Sequence, residues 1–152
     1  MTQIRSDTSD FDRAARALTK VAEGRYTTTG LNGALRKAAM PIARQVIAEG
    51  ADEMPHRGGL SAIAARSRVN VTSRIQGDRA AVSMRFSSKK AGPGYLDTGY
   101  VRHPVFGNRK SWVTQTVPAR AFTRAFNRHA DEARAEVLRE MQTLTEIIKG
   151  MS

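Results

Sequence analysis

The residue types able to do chemistry in this chain are three histidines, a row of carboxylates, two glycine-rich turns and a large set of arginines. His56, His103 and His129 stand far apart, with no His-x-x-x-His pair and no carboxylate at metal-ligand spacing beside them. They read as solvent-facing or singly hydrogen-bonded side chains. Glu132, Glu136 and Glu140 recur at i, i+4 and i+8 and are interleaved with Arg128, Arg134 and Arg139. That is the pattern of a solvated helix face, not of two carboxyls converging for acid/base work. Gly58-Gly59 and Gly92-Pro93-Gly94 lack the Gly-Lys-Ser/Thr setting of a phosphate-cradling loop. The chain has no Cys, so thiolate chemistry and disulfides are excluded. The expectation is a protein that is not an enzyme and has no cofactor or metal.

What remains is charge. The net charge of +11 is unevenly placed. Residues 56–110 carry 11 basic side chains against only Asp78 and Asp97, whereas the flanking segments are each close to neutral. The excess therefore marks a face. Its candidates for meeting a partner or DNA are Arg66, Arg68, Arg74, Arg79, Arg85, Lys89 and Lys90, with Arg102, Arg109 and Lys110 further along. Binding to phosphates through them would weaken steeply with salt. No helix is both basic and poised to enter a groove, and the strands are expected to lack the exposed aromatics of single-strand binders. A solvated sheet face, or a patch meeting an acidic partner, is the preferred reading over sequence-tolerant DNA contact.

The elements that hold these residues follow from periodicity. A short amphipathic helix is expected from Ser9 to Gly24, with Asp10 and Asp12 in its first turn. After a linker at Arg25–Gly30, apolar positions from Leu31 to about Asp52 keep helical spacing, with a kink expected near Lys37–Pro41 and an end before Pro55. Leu60–Ala65 adds one helical turn. Residues 66–75 and 80–86 alternate apolar and basic or polar side chains on either side of Gln76-Gly77-Asp78-Arg79, the mark of a hairpin with one face buried. Ser87–Gly94 reads as a flexible loop. Tyr100–Val105 and Ser111–Val117 flank a turn in which Gly107-Asn108 tolerates positive φ, forming a second hairpin. From Ala119 to about Lys149, Phe122, Phe126, Ala130, Ala133, Val137, Met141, Leu144 and Ile148 form one stripe of a long helix, with Pro118 fitting its first turn.

At 152 residues, a single domain is expected, and aromatics at 6% leave each subunit a thin core of its own. The N-terminus has no apolar signal core, and no apolar run is long enough to span a bilayer. A soluble protein made in the cytoplasm is the expectation. The fold class is α+β: a small antiparallel sheet of about four strands packed against the long C-terminal helix and the kinked second helix.

The stretch 96–126 carries more than periodicity. Leu-Asp-x-Gly at 96–99, Val-Arg-His-Pro-Val-Phe-Gly-Asn-Arg at 101–109 and Trp-Val-Thr-Gln at 112–115, followed by Pro118 and a long helix, resemble tailed-phage proteins of the HK97 gene-10-like family. Leu35, Pro41, Pro55 and Gly59-Leu60 extend the likeness more diffusely. The resemblance implies a structural virion protein of the neck, a tail-completion or tail-terminator protein or a head-to-tail connector. It would form a ring of six around the DNA channel at the head-proximal end of the tail. Implied partners are other copies of the chain, adjacent neck and tail-tube proteins, and transiting genomic DNA contacted without sequence specificity; no membrane is involved. The hairpin residues Tyr100, Arg102, His103, Phe106, Asn108, Arg109 and Trp112 are candidates for the subunit interface. The Ser87–Gly94 loop is a candidate to order on docking. Trp112 has two readings, an interface anchor or a core side chain beneath the C-terminal helix, and the core position is the expected one. The alternative function, from another class, is a small basic nucleic-acid-binding protein acting through the Arg-rich first hairpin.

Overall fold

The computed structural model describes residues 9–22, 28–76, 79–105 and 107–150. Along the chain it has α1 (Ser9–Ala22), α2 (Thr28–Asp52), a 3-10 turn at Arg57–Gly59, α3 (Leu60–Ala65), β1 (Arg68–Gln76), β2 (Arg79–Ser87), α4 (Pro93–Leu96), β3 (Tyr100–Val105), β4 (Asn108–Thr116) and α5 (Ala121–Gly150). The class is α+β, with the expected short first helix and long last helix. Gly24, the Gly77-Asp78 turn and Phe106 lie outside the described residues.

The strands form two separate two-stranded antiparallel sheets, β1-β2 and β3-β4, where one sheet of about four strands was expected. Alternation along a strand fixes which face is buried, but it does not say which strands pair beyond a tight turn. The connection between the hairpins also departs from a flexible loop. Ala91, Pro93 and Leu96 are buried, and Pro93 opens a one-turn helix. Its apolar residues thus tie the end of the segment to the body.

Helix α2 continues through Pro41, and it stops at Asp52, ahead of Pro55. Helix α5 starts at Ala121, so Pro118 stands before it and not in its first turn. The residue immediately ahead of it is Arg120, in a left-handed conformation at φ 57.

By compactness the chain falls into two units. The first comprises Arg44–Val69 and Phe86–Arg128. Its core joins Ile47, Ala51 and Met54 of α2, Ala64 of α3, Leu96 of α4, Val101 of β3, Val117, and Ala121 and Phe122 of α5. Leu60, Ile63, Val69 and Phe86 pack against that cluster. Gly50 is where α2 meets α5 in this unit: a methyl group there would overlap the Phe122 ring. The second unit comprises residues through Ala43, Asn70–Arg85 and those from His129 onward. Its buried side chains include Leu18 of α1, Leu35 and Ile42 of α2, Val71 of β1, and Val137, Met141 and Ile148 of α5. Ser73 Oγ donates to the Asn32 carbonyl at 2.6 Å, holding β1 to α2 within this unit. On α5, Arg139 pairs with Glu136 at 2.6 Å and Lys149 with Glu146 at 3.0 Å, the i,i+3 ladder of a solvated face.

Candidate interaction site

The motif Leu96–Gly99 builds the root of the second hairpin. Leu96 is fully buried. Asp97 follows it and turns its carboxylate onto the N-terminus of α5, where Oδ1 accepts from Phe122 N at 2.8 Å and Oδ2 accepts from Thr123 N at 3.0 Å. Thr123 Oγ1 donates to the same Oδ2 at 2.7 Å. The first turn of a helix has backbone N–H groups with no intrahelical partner and a partial positive charge, and a carboxylate answers both. Arg120, next to the helix, offers no side-chain acceptor, so Asp97 supplies the cap from 25 residues upstream. Arg120 N in turn donates to the Asp97 carbonyl at 3.0 Å. Gly99 sits at φ 90, and a Cβ there would come within 2.9 Å of Ala119 Cβ. A side chain would be strained by both conformation and contact. Val117 N closes the root by donating to the Gly99 carbonyl at 3.0 Å.

The same unit contains an ionic clasp between α2 and α5. Arg124 binds Glu53 and the Ala119 carbonyl. Arg128 reaches Glu49 at 3.2 Å and Glu53 at 3.4 Å. The hydrogen bond from Arg124, aided by Arg128, holds the Glu53 carboxyl below its usual range against the opposing effect of partial burial. Arg128 was expected on the solvated face with the glutamates of its own helix; its guanidinium crosses to α2 instead. His129, which begins the second unit's part of α5, lies 2.9 Å from Glu132 through Nδ1.

Beyond this root the β3–β4 hairpin projects with little cover. Its register pairs Tyr100 with Thr116, Arg102 with Thr114, His103 with Val113 and Pro104 with Trp112, and an irregularity between Pro104 and Val105 brings Val105 opposite Asn108. Val101 is the only buried residue of β3, and β4 has none. Gly107 takes the positive φ of the turn, whereas Asn108 accepts from Lys110 N through Oδ1 at 3.0 Å. Tyr95 Oη accepts from Arg102 N at 2.8 Å, a brace from α4 to the start of the arm.

Trp112 is 48% exposed, and the expected burial under the C-terminal helix does not occur. The buried positions of the hairpin end at Val101 and Val117, and Trp112 lies five residues before Val117, out on the arm. Its indole N–H is satisfied locally by the Arg109 carbonyl at 2.8 Å, and the Arg102 guanidinium lies 5.6 Å from its ring centroid. Tyr100 is 52% exposed. Because side chains alternate between faces, Tyr100, Arg102, Trp112, Thr114 and Thr116 share one face, while His103 and Val113 share the other. The expectation that the strands lack exposed aromatics is overturned by this face. Phe106 falls outside the described residues. Asn108, Arg109 and His103 are exposed near the tip, with His103 Nδ1 3.3 Å from the Pro104 carbonyl.

The other basic candidates divide between the units. Arg66, Arg68, Lys89 and Lys90 belong to the first, and Arg74, Arg79 and Arg85 to the second. The exposed positions Arg68, Asn70, Thr72 and Arg74 alternate with the more buried Val69, Val71, Ser73 and Ile75, as the sequence pattern requires. Arg79 opens β2, and its side chain is outside the described ones.

Among the described residues, no group of His, Asp or Glu side chains is placed to hold a metal ion, and no helix is long and apolar enough to cross a membrane. Compared with known proteins, the chain matches no family model, no curated protein and no solved structure.

Proposed function

We propose that the chain is a structural subunit of a tailed-phage virion. It assembles as a ring, of six subunits by resemblance, in the neck at the head-proximal end of the tail, where it surrounds the DNA channel and adjoins neck and tail-tube proteins. Its role there is geometric, not catalytic. The observation that carries this reading is the β3–β4 arm. A two-stranded hairpin open to solvent on both faces is marginal on its own in water and is stabilised when something covers it. This arm stands on a root in which backbone, carboxylate and core contacts fix its direction. A rigid base with an uncovered arm suits a subunit that completes its burial on a neighbour, and identical contacts repeated around an axis close into a ring. The Val113 and His103 face, which holds the arm's exposed aliphatic side chain, is assigned to the neighbouring subunit.

The test is the mass of the purified chain by light scattering across concentration and salt, alone and with phage tail tubes or connectors. Rings, or monomers that assemble on those partners, are expected. Val113→Asp should abolish assembly while leaving the far-ultraviolet circular dichroism unchanged. A chain that stays monomeric in every mixture overturns the reading.

A further inference from the structure

We propose that the Tyr100–Arg102–Trp112 face of the β3–β4 hairpin is a binding site for single-stranded nucleic acid, with the bases taken by the aromatic rings and the phosphates by the cations. This inference does not rest on the ring reading, since a monomer carries the whole face.

Charge is the first support. From Thr98 to Ala130 the chain contains no Asp or Glu. In this unit Arg124 and Arg128 are neutralised by Glu49 and Glu53. Arg102, Arg109 and Lys110 are exposed and have no carboxylate partner among the described residues. A cationic strand pair with no counter-charge of its own attracts a polyanion.

The chemistry of the face decides which polyanion. Apart from the half-buried Pro104, its side chains are aromatic (Tyr100, Trp112), cationic (Arg102) or hydroxyl-bearing (Thr114, Thr116). Such groups contact phosphates and stack on bases. Protein interfaces also use Tyr, Trp and Arg, but at their centres these sit in apolar, desolvated surroundings, and the hairpin puts its exposed aliphatic residue, Val113, on the opposite face. An acidic peptide would satisfy the cations but would leave the two half-exposed rings without a role. The Arg102 guanidinium already lies over Trp112, which pre-orders the ring and places a positive charge beside any base stacked there. Between the Tyr100–Thr116 and Pro104–Trp112 pairs the face runs four residues, or about 14 Å at strand spacing, enough for roughly four nucleotides at stacked spacing. Duplex DNA keeps its bases stacked on one another and offers such rings no partner, so unpaired strands are the ligand.

Trp112 is the only tryptophan, so its emission reports directly on the site. The full chain is titrated with a fluorescein-labelled oligothymidylate, an abasic strand of the same length, a blunt duplex and polyglutamate. Oligothymidylate should quench Trp112 and bind with an affinity that falls steeply with salt. The abasic strand should bind about a hundredfold more weakly, because it loses stacking on both rings and each contributes on the order of a factor of ten. By anisotropy of the labelled strand, Trp112→Ala and Tyr100→Ala should each weaken binding about tenfold. Trp112→Phe should recover most of the loss, and Lys89→Gln with Lys90→Gln should keep the quenching. Because the Trp112 ring is half exposed, its loss should leave the fold intact, and Tyr100→Ala provides a second, independent reading of the site. Equal quenching by polyglutamate would make this a protein-docking face and overturn the proposal. Equal affinity for the duplex or the abasic strand, or no loss in either alanine variant, would overturn it as well.

Discussion

The root and the tip of one hairpin, a few residues apart in sequence, are built on opposite terms. At the root, Leu96 is sealed in the core, both Asp97 oxygens are occupied and Gly99 has no room for a methyl group. Beyond it, from the foot of the arm out toward the tip, Tyr100, Arg102 and Trp112 are exposed, the Arg102 guanidinium lies over the Trp112 ring, and none of the three belongs to the core cluster. The resemblance-bearing stretch therefore contains two kinds of residue: those that aim the arm, and those the arm presents. A substitution at the root should register as lost stability, and one at the tip as lost binding.

The strongest way to break this division is at Leu96. Leu96→Ala removes a fully buried side chain from the core cluster that also holds Phe122 and Val101, and should lower the free energy of unfolding by about 3 kcal/mol in a urea titration. A loss under about 1 kcal/mol would mean that the root is not anchored there. Next in size is the cap. Asp97→Ala leaves the first N–H groups of α5 without an acceptor and should cost about 1–2 kcal/mol, whereas Asp97→Asn, which keeps one acceptor oxygen, should recover part of it. Identical losses in the two variants would point to packing and not to capping.

The clasp should produce a smaller, pH-dependent effect. The Glu53 carboxyl is held below its ordinary value of 4.5, so its pairing stabilises the fold fully above that pH. The contribution fades as pH falls below 4.5 and through the lowered value in the folded state. Glu53→Gln should therefore flatten the acid limb of a thermal stability profile while changing little in how stability varies above pH 6. A profile of unchanged shape would show that the clasp adds no linkage. Smallest of all, Trp112→Ala should shift stability by no more than about 0.5 kcal/mol, the range of ordinary surface substitutions. A larger loss would turn the tip into part of the root.

Much of the fold was legible in the sequence because its signals are local. The stripe from Phe122 to Ile148 is buried at nearly every position that helical spacing selects, and the alternation through Val69, Val71 and Ile75 assigns the open face of the first hairpin correctly. The misses involve residues distant in sequence. Asp97 reads only as part of the Leu-Asp-x-Gly motif, with no role assigned to its carboxylate, until the fold brings the start of α5 to it. Glu49 in the last turn of α2 and Glu53 just beyond its end stand at i,i+4 spacing, and Arg124 and Arg128 share a face of α5, so the clasp left a trace in both segments; only their juxtaposition is absent from the pattern. For Trp112, the preference of large aromatics for burial gave the wrong answer because the arm extends past the core, and hydrophobicity alone cannot separate a core ring from a presented one. The split of four strands into two hairpins was likewise hidden, because each turn specifies its own pair and nothing beyond it.

The bond from Val117 N to the Gly99 carbonyl ties the two feet of the arm together. Among the described residues between them, only Val101 is buried. Lengthening a flexible loop costs little, about 0.6 kcal/mol for each doubling, once its ends are held. A longer turn around Gly107 should therefore leave the base intact. Among diverging relatives, insertions should accumulate around Gly107, with Leu96, Asp97 and Gly99 unchanged on one side and Val117 on the other.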